Sequence, residues 1–363
     1  MSEYYDGTKL LSLLDINGKK PEIYICTTNR TGGKTTYFGR LCVNRFLEKN
    51  EKFCLLYRYN YELDNVAEKF FKDIGRLFFN GYNMTSERRA NGIFHELFLS
   101  RPIETEVKGQ SCGYAISLIS AEQIIKYSHF FSDVSRMIFD EFQSETNHYC
   151  ADEIRKLLSI HTSIARGNGE QIRYVPVFML SNPVSIINPY YVELGISERL
   201  KNDTKFLKGD GFVLEQGFVE SASEAQKESG FNRAFARNNY IAYSAENVYL
   251  NDSQTFIEKP VGSSYYVATL KYNGCEYALR EFTDSGFIYC DDKVDHTFKY
   301  RLAVTTSDHG VNYVMLKRNE AFVANLRYYI EHGCFRFKLS RTLLFNWANK
   351  WKTRCYKALL RRI

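Results

Sequence analysis

Three observations predict an α/β chain with a mainly parallel sheet and a second, separate domain. Over about the first two hundred of its 363 residues, short apolar runs alternate with helical periodicities. A Gly-Gly-Lys-Thr loop stands between the first such run and the first such helix. Past Asn251 the pattern turns two-fold, with Asn273-Gly274 and Asp284-Ser285-Gly286 as turns.

The first run is Ile23-Tyr24-Ile25-Cys26, read as a buried strand. Phe38, Leu41, Cys42 and Phe46 then fall at helical spacing. Between them lies Thr28-Asn29-Arg30-Thr31-Gly32-Gly33-Lys34-Thr35-Thr36. Glycines, a lysine and a hydroxyl residue at a strand-to-helix junction make a phosphate cradle. Backbone N–H groups wrap the phosphates, the ammonium reaches the outer two, and the hydroxyl holds Mg²⁺. Residues 28–36 are therefore the expected ATP-binding loop. Thr28 replaces the glycine that usually opens this motif, so the loop's first position is expected to be less permissive of positive φ.

Phe53 to Arg58 predicts the next strand, and Leu63, Val66, Ala67, Phe70, Phe71, Ile74, Leu77 and Phe78 mark one face of a long helix. Glu96 to Leu118 reads as a hairpin, with Lys108-Gly109 near its turn. Met137-Ile138-Phe139-Asp140-Glu141 is a strand ending in two carboxylates. In P-loop ATPases the first carboxylate serves the Mg²⁺ shell and the second polarises water. Asp140 and Glu141 fit those roles, with Thr35 as the other metal-facing side chain. Ile154, Leu157, Leu158 and Ile164 mark a helix ended by Gly167-Asn168-Gly169. The strand Tyr174 to Leu180 delivers Ser181-Asn182-Pro183 at its carboxyl end, where open parallel sheets bind ligands. Asn182 either senses the terminal phosphate or starts a turn. Gly211 to Leu214 is read as the last strand of this part.

The expected organisation is an ATPase domain over 1–216, a polar linker or lid over 217–246 and a C-terminal domain over 247–363. In the last, strands are expected at Tyr265 to Tyr272, Glu276 to Phe282 and Phe287 to Tyr289, and a helix from Glu320 to Glu331. The net charge of +6 does not decide the partner, but its distribution does. Gly333 to Ile363 carries nine basic residues and no acidic one, with Trp347, Trp351 and Tyr356 interleaved. Such a tail suits a polyanion. Lys350, Lys352 and Arg354, with Lys108, are the candidate DNA contacts. Nine scattered cysteines without a Cys-x-x-Cys pair point to a reducing compartment. The acidic start, Met1 to Asp6, is unlike a signal peptide, and no apolar run approaches a membrane span.

On these residues the chain resembles the DNA packaging (encapsidation) ATPases of φ29-like tailed phages, relatives of the large terminases. The strongest matches are the Arg30-bearing loop, Arg58, Ile138 to Phe142, Leu180 to Ser185 with Asn188-Pro189-Tyr190, and Asp252-Ser253-Gln254 with Phe256 to Lys259. The resemblance implies an ASCE-type P-loop ATPase domain followed by a degenerate, RNase H-like nuclease domain. It implies Mg-ATP as cofactor, double-stranded DNA and the procapsid portal as partners, a packaging RNA as a further one, and a homo-oligomeric ring, a pentamer. It places the protein in the host cytoplasm, docked transiently on the portal and absent from the mature virion.

The resemblance also implies an arginine, after the helix that follows Asp140-Glu141, that acts on the neighbouring subunit's ATP. Arg166 fits best, with Arg155, Arg173 and Arg58 as rivals; Arg30 is a further catalytic candidate inside the loop. Asp291, Asp292 and Asp295 cluster locally, but the strand Tyr265 to Tyr272 carries no carboxylate. A two-metal nuclease needs acids from facing elements. The expectation is therefore no nuclease, leaving the C-terminal domain to bind DNA, the portal or a packaging RNA. Two alternatives stay open: a large terminase with a working nuclease, and a non-catalytic DNA-binding or capsid-assembly protein with a decayed loop.

Overall fold

The apolar runs of the first part become strands of a nine-stranded sheet in the computed structural model. It describes residues 4–101, 109–146, 148–167, 169–186, 188–197, 199–201, 203–236, 238–246, 249–250, 259–272, 274–332 and 334–338. The chain divides into two units, one of Met1–Ile186 with Leu200–Asn251, the other of Ile187–Arg199 with Asp252–Ile363. Lys108, Lys350, Lys352, Arg354 and the 252–258 block lie outside the described residues.

The first unit begins with a single helical turn, α1 (Thr8–Leu11), followed by β1 (Ile23–Thr27), α2 (Lys34–Lys49), β2 (Lys52–Tyr57) and α3 (Val66–Phe78). Then come β3 (Asn83–Arg89), β4 (Phe94–Ser100), β5 (Gln110–Ser117), α4 (Ala121–Ile124), β6 (Val134–Asp140), α5 (Glu153–Ala165) and β7 (Val177–Ser181). The one-turn helix α6 (Pro189–Glu193) belongs to the second unit. The first resumes with β8 (Phe206–Gly209), β9 (Phe212–Gln216), α7 (Glu220–Glu228), α8 (Gly230–Ala234) and α9 (Asn239–Glu246).

Strand order is β3-β4-β5-β2-β6-β7-β1-β9-β8. The six strands from β5 to β9 run parallel, and only the margins, β3-β4-β5 and β9-β8, are antiparallel. Both faces of the parallel strands are buried. Tyr24, Phe53, Leu55, Ile138 and Phe178 join a core with Phe38, Phe46, Phe70 and Ile74 of α2 and α3. The alternate residues Ile25, Leu56, Phe139 and Met179 are buried too. That pattern is what a parallel sheet covered on both sides requires.

Two helical faces differ from the sequence reading. Leu77 and Phe78, in the last turn of α3, are 49% and 40% exposed. There the Arg40 guanidinium covers the Phe78 ring. On α5 the inward residues are Ile160 and Ile164, while Leu158 faces out. The expected hairpin is the antiparallel pair β4-β5, and β3 extends it to a three-strand meander. Residues 217–246, expected as linker or lid, form α7, α8 and α9 inside the first unit.

In the second unit, β10 (Tyr265–Tyr272), β11 (Cys275–Phe282) and β12 (Phe287–Asp291) form an antiparallel meander. Three short strands follow, β13 (Arg301–Ala303), β14 (Val314–Met315) and β15 (Phe335–Phe337), with α10 (Glu320–Glu331) before the last. The order is β14-β13-β10-β11-β12-β15, with β13 parallel to β10 and β14 parallel to β13. Leu270, Leu279, Ile288, Leu326 and Phe335 make its core. No helix of the described residues is long and apolar enough to cross a membrane.

Candidate nucleotide site

Topology assembles the site. The order β6-β7-β1 sets the strand bearing Asn182 between the strands bearing the loop and Asp140. Register puts Thr27 beside Ser181 and Leu180 beside Asp140, so three carboxyl ends converge within about 10 Å.

The loop between β1 and α2 is held by its ends. Thr28 and Asn29 are fully buried. Thr28 N donates to the Ser181 carbonyl at 3.3 Å, tying β1 to β7 past their last pair. Asn29 closes a two-bond amide ring with the Val219 backbone, donating to its carbonyl at 3.0 Å and accepting its N–H at 2.9 Å. Arg30 N donates to the Ser244 carbonyl at 3.0 Å. The loop thus hangs from β7 on one side and from the α7–α9 segment on the other.

The backbone resolves the Thr28 question. Thr28 is not among the positive-φ residues; those in the loop are Thr31 (φ 61°) and Gly33 (φ 90°). Thr31 sits in the left-handed region and its hydroxyl donates to the Arg30 carbonyl at 2.6 Å. The conformation that a first glycine would license is not required at Thr28. Gly32 is needed for space, since a Cβ there would lie 3.1 Å from both the Thr28 hydroxyl and a Val219 methyl.

Lys34 opens α2 and is 8% exposed. Its Nζ donates to Asn182 Oδ1 at 2.7 Å. Burial lowers its pKa, opposed by the nearby Asp140 carboxylate. Burial raises the Asp140 pKa, opposed by Lys34 and by a hydrogen bond from Thr35. Glu141 is turned out of the strand by a left-handed backbone (φ 52°), and its N–H donates to Asp140 Oδ1 at 3.0 Å. Burial, then the Asp140 charge, raises the Glu141 pKa.

A cleft of about 430 Å³ is lined by Glu141, Asn182, Arg30, Arg58, Gln143 and Glu145, among others. A larger one, about 660 Å³, lies in the second unit and holds none of the candidate residues. Glycine-shaped backbone, a buried ammonium, a Thr-Asp pair and a raised carboxylate suit a phosphate group with a divalent cation. Lys34 and the loop would hold the phosphates, and Thr35 with Asp140 the cation.

Four partners escaped the sequence reading. Glu145 forms an ion pair with Arg30 and accepts the Tyr243 hydroxyl at 2.6 Å, linking loop, cleft and α9. Glu153 pairs with Arg58 inside the core. Gln143 Oε1 accepts the Val184 and Ser185 N–H groups. Each lies far from its partner in sequence, and no local pattern marks it.

Of the arginines, Arg58 is buried against Glu153, and Arg173 donates to the carbonyls of Phe131, Val134 and Ile164. Arg155 is exposed on the first turn of α5. Arg166 is exposed at the far end of α5, where its guanidinium donates to Ser128 at 2.9 Å. That end packs beside Val134, the start of β6, so Arg166 is not brought together with Lys34 and Asp140 of the same chain. In the second unit Asp291 pairs with Arg280 and Asp292 with Lys338, while Asp295 Oδ1 accepts from Thr297. Among the described residues no three acidic, histidine or cysteine side chains gather to hold a metal.

A DNA packaging protein of Bacillus phage phi29 is 27% identical over 299 residues, covering 81% of this chain and 83% of that one. The DNA packaging protein of Bacillus phage B103 is 27% identical over 328 residues, covering 88% and 94%. Two solved structures share the fold across nearly the whole chain. The bacteriophage Phi-29 viral genome packaging motor assembly matches with a TM-score of 0.64 at 23% identity, covering 96% of this chain and 98% of that one. The Phi-28 gp11 DNA packaging motor matches with a TM-score of 0.65 at 18% identity, covering 96% and 97%. The profile of the podovirus DNA encapsidation protein (Gp16) family matches residues 1–350, and the chain belongs to that family.

Proposed function

We propose that this chain is the ATP-hydrolysing subunit of a viral DNA packaging motor, moving double-stranded DNA through a portal into a procapsid. The observation that carries the reading is the meeting of Lys34, Asn182 and Asp140 at three adjacent strand ends, beside a glycine loop that opens a helix. Family membership supplies the DNA and the capsid.

Mg²⁺, when bound with ATP, neutralises phosphate charge as a Lewis acid. The chain's own residues do the rest. Loop N–H groups and Lys34 hold the phosphates, and Thr35 and Asp140 hold the cation. Glu141, lifted above the ordinary carboxylate range, takes a proton from the attacking water. Arg166 serves a neighbouring subunit's ATP; its place at the opposite end of the sheet supports action in trans, which makes a ring the working form. An arginine supplied this way is worth about 10³–10⁵ in rate in other NTPases.

The second unit is the RNase H-like domain in this reading. An antiparallel three-strand meander with two parallel strands beside its first strand supports it. The acids near the end of β12 are paired with Arg280 and Lys338, which favours a binding role over a nuclease one.

The test is ATPase activity of the full chain with and without linear double-stranded DNA across a salt series. Expected are stimulation by DNA that falls steeply with salt, as phosphate contacts demand, and loss of activity in Lys34→Ala. A rate indifferent to DNA and to protein concentration would defeat the motor reading.

A further inference from the structure

Two residues beyond Glu141, the Gln143 side chain is 2% exposed. Its Oε1 accepts the Val184 N–H at 3.2 Å and the Ser185 N–H at 2.9 Å. Only an oxygen can face two N–H groups, so the orientation of the amide is fixed by its neighbours. Its Nε2 is then the opposite end of the group. That nitrogen is buried and meets no acceptor among the described residues. Leaving such a donor unmet costs about 1–3 kcal/mol, so an unpaired one in a native fold calls for an explanation.

The surroundings supply one. Gln143 borders the same cleft as Glu141, Asn182 and Arg30. The two arginines that line that cleft are ion-paired, Arg30 with Glu145 and Arg58 with Glu153. Gln143 offers a donor that is spare, neutral and immobilised. Being neutral, it requires no counter-charge to stay buried when the cleft is empty of anions. A strongly accepting ligand oxygen is its natural complement.

We propose that Gln143 discriminates ATP from ADP: its Nε2 donates to an oxygen of the terminal phosphate while its Oε1 keeps the 184–185 backbone, and with it Asn182, in place. The inference rests on the ATP-site reading above. It makes Gln143 a two-ended clasp, one end structural and the other facing the ligand.

The experiment titrates fluorescent ATP and ADP analogues with Mg²⁺ into the wild type, Gln143→Glu and Gln143→Met, with thermal melting of each. Gln143→Glu keeps an oxygen for the two N–H groups and exchanges the donor for an acceptor. Gln143→Met keeps the length and loses both hydrogen-bonding ends without adding charge. The expected result for both is a tenfold or greater loss of ATP affinity with ADP affinity within about twofold of wild type. Gln143→Glu melts near wild type, whereas Gln143→Met melts lower. A wild-type ATP-to-ADP ratio in Gln143→Met overturns the proposal and leaves Gln143 a purely structural clasp, as does an equal loss of both nucleotides. A wild type that binds neither nucleotide defeats the ATP-site reading itself, an outcome the variants could not mimic.

Discussion

Arg58 Nε donates to both carboxylate oxygens of Glu153, at 3.1 Å each, from the interior of the first unit. The same guanidinium donates to the carbonyls of Glu141 at 3.3 Å and Phe142 at 2.6 Å. The side chains are 7% and 2% exposed. One planar group therefore fixes the turn that aims Glu141. Arg58→Ala should destabilise the protein by about 3–5 kcal/mol, because Glu153 is left buried without its partner. Arg58→Lys cannot reproduce the fork and should lower kcat with little change in KM. Urea denaturation and steady-state ATPase kinetics check both; a wild-type midpoint in Arg58→Ala would contradict the structural role.

The loop's backbone makes a paired prediction. Thr28→Gly should bring no gain in nucleotide affinity and cost on the order of 1 kcal/mol, since Thr28 has no positive φ to relieve. Gly33→Ala should cost about 1–3 kcal/mol and weaken nucleotide binding at least tenfold, since φ 90° lies where a side chain is strained. Thermal melting and nucleotide titration of the two variants should separate them, and equal behaviour would count against this backbone.

Asn29→Ala removes the amide ring with Val219 and leaves a buried N–H and carbonyl unmet. The expected cost is about 1–3 kcal/mol. Amide hydrogen exchange should rise across residues 219–246 more than in β1 or β7. Uniform exchange across the unit would show that the bridge does not tether the α7–α9 segment.

The raised Glu141 carboxyl sets the pH behaviour. A general base works ionised, so the ATPase rate should climb with pH to a plateau, with a midpoint above the ordinary glutamate value of 4.5. The sign for stability is the reverse. A carboxyl whose folded pKa exceeds its unfolded one supports the fold below the unfolded pKa, and that support is lost as pH rises through the folded pKa. Nucleotide-free Glu141→Gln should therefore melt above wild type at neutral pH, and the difference should shrink on acidification. A rate midpoint at or below 4.5 would place Glu141 elsewhere in the mechanism.

Mixed rings test Arg166. An Arg166→Ala subunit should silence its neighbour while its own site, completed by a wild-type arginine, still turns over. Blends of Arg166→Ala with Glu141→Gln subunits should then complement, so that activity falls more slowly than the mutant fraction. A strictly linear loss would point to action within one subunit.

The sequence made legible what is local. The loop, its strand and its helix follow from periodicity, and Asp140, Glu141 and Asn182 follow from their places at strand ends. The order of the parallel strands was not legible, although it is what brings Asn182 between Lys34 and Asp140. Side chains that complete the site from a distance, Glu145, Glu153 and Tyr243, carry no pattern of their own. The polar look of 217–246 concealed three helices, because short amphipathic helices with one small buried face resemble linkers in composition. The Thr28 substitution looked like a defect because motif reasoning assigns φ by position, whereas the chain places its left-handed residue at Thr31.

The bridge from Asn29 to Val219 spans 190 residues. At about 5–20 residues per second, a ribosome needs roughly 10–40 s to deliver the second half after the first. Until then the phosphate loop of a nascent chain lacks the groups that fix its shape. The bridge that shapes the proposed phosphate loop therefore closes only when the first unit is finished, which ties the completion of this site to the completion of the fold that carries it.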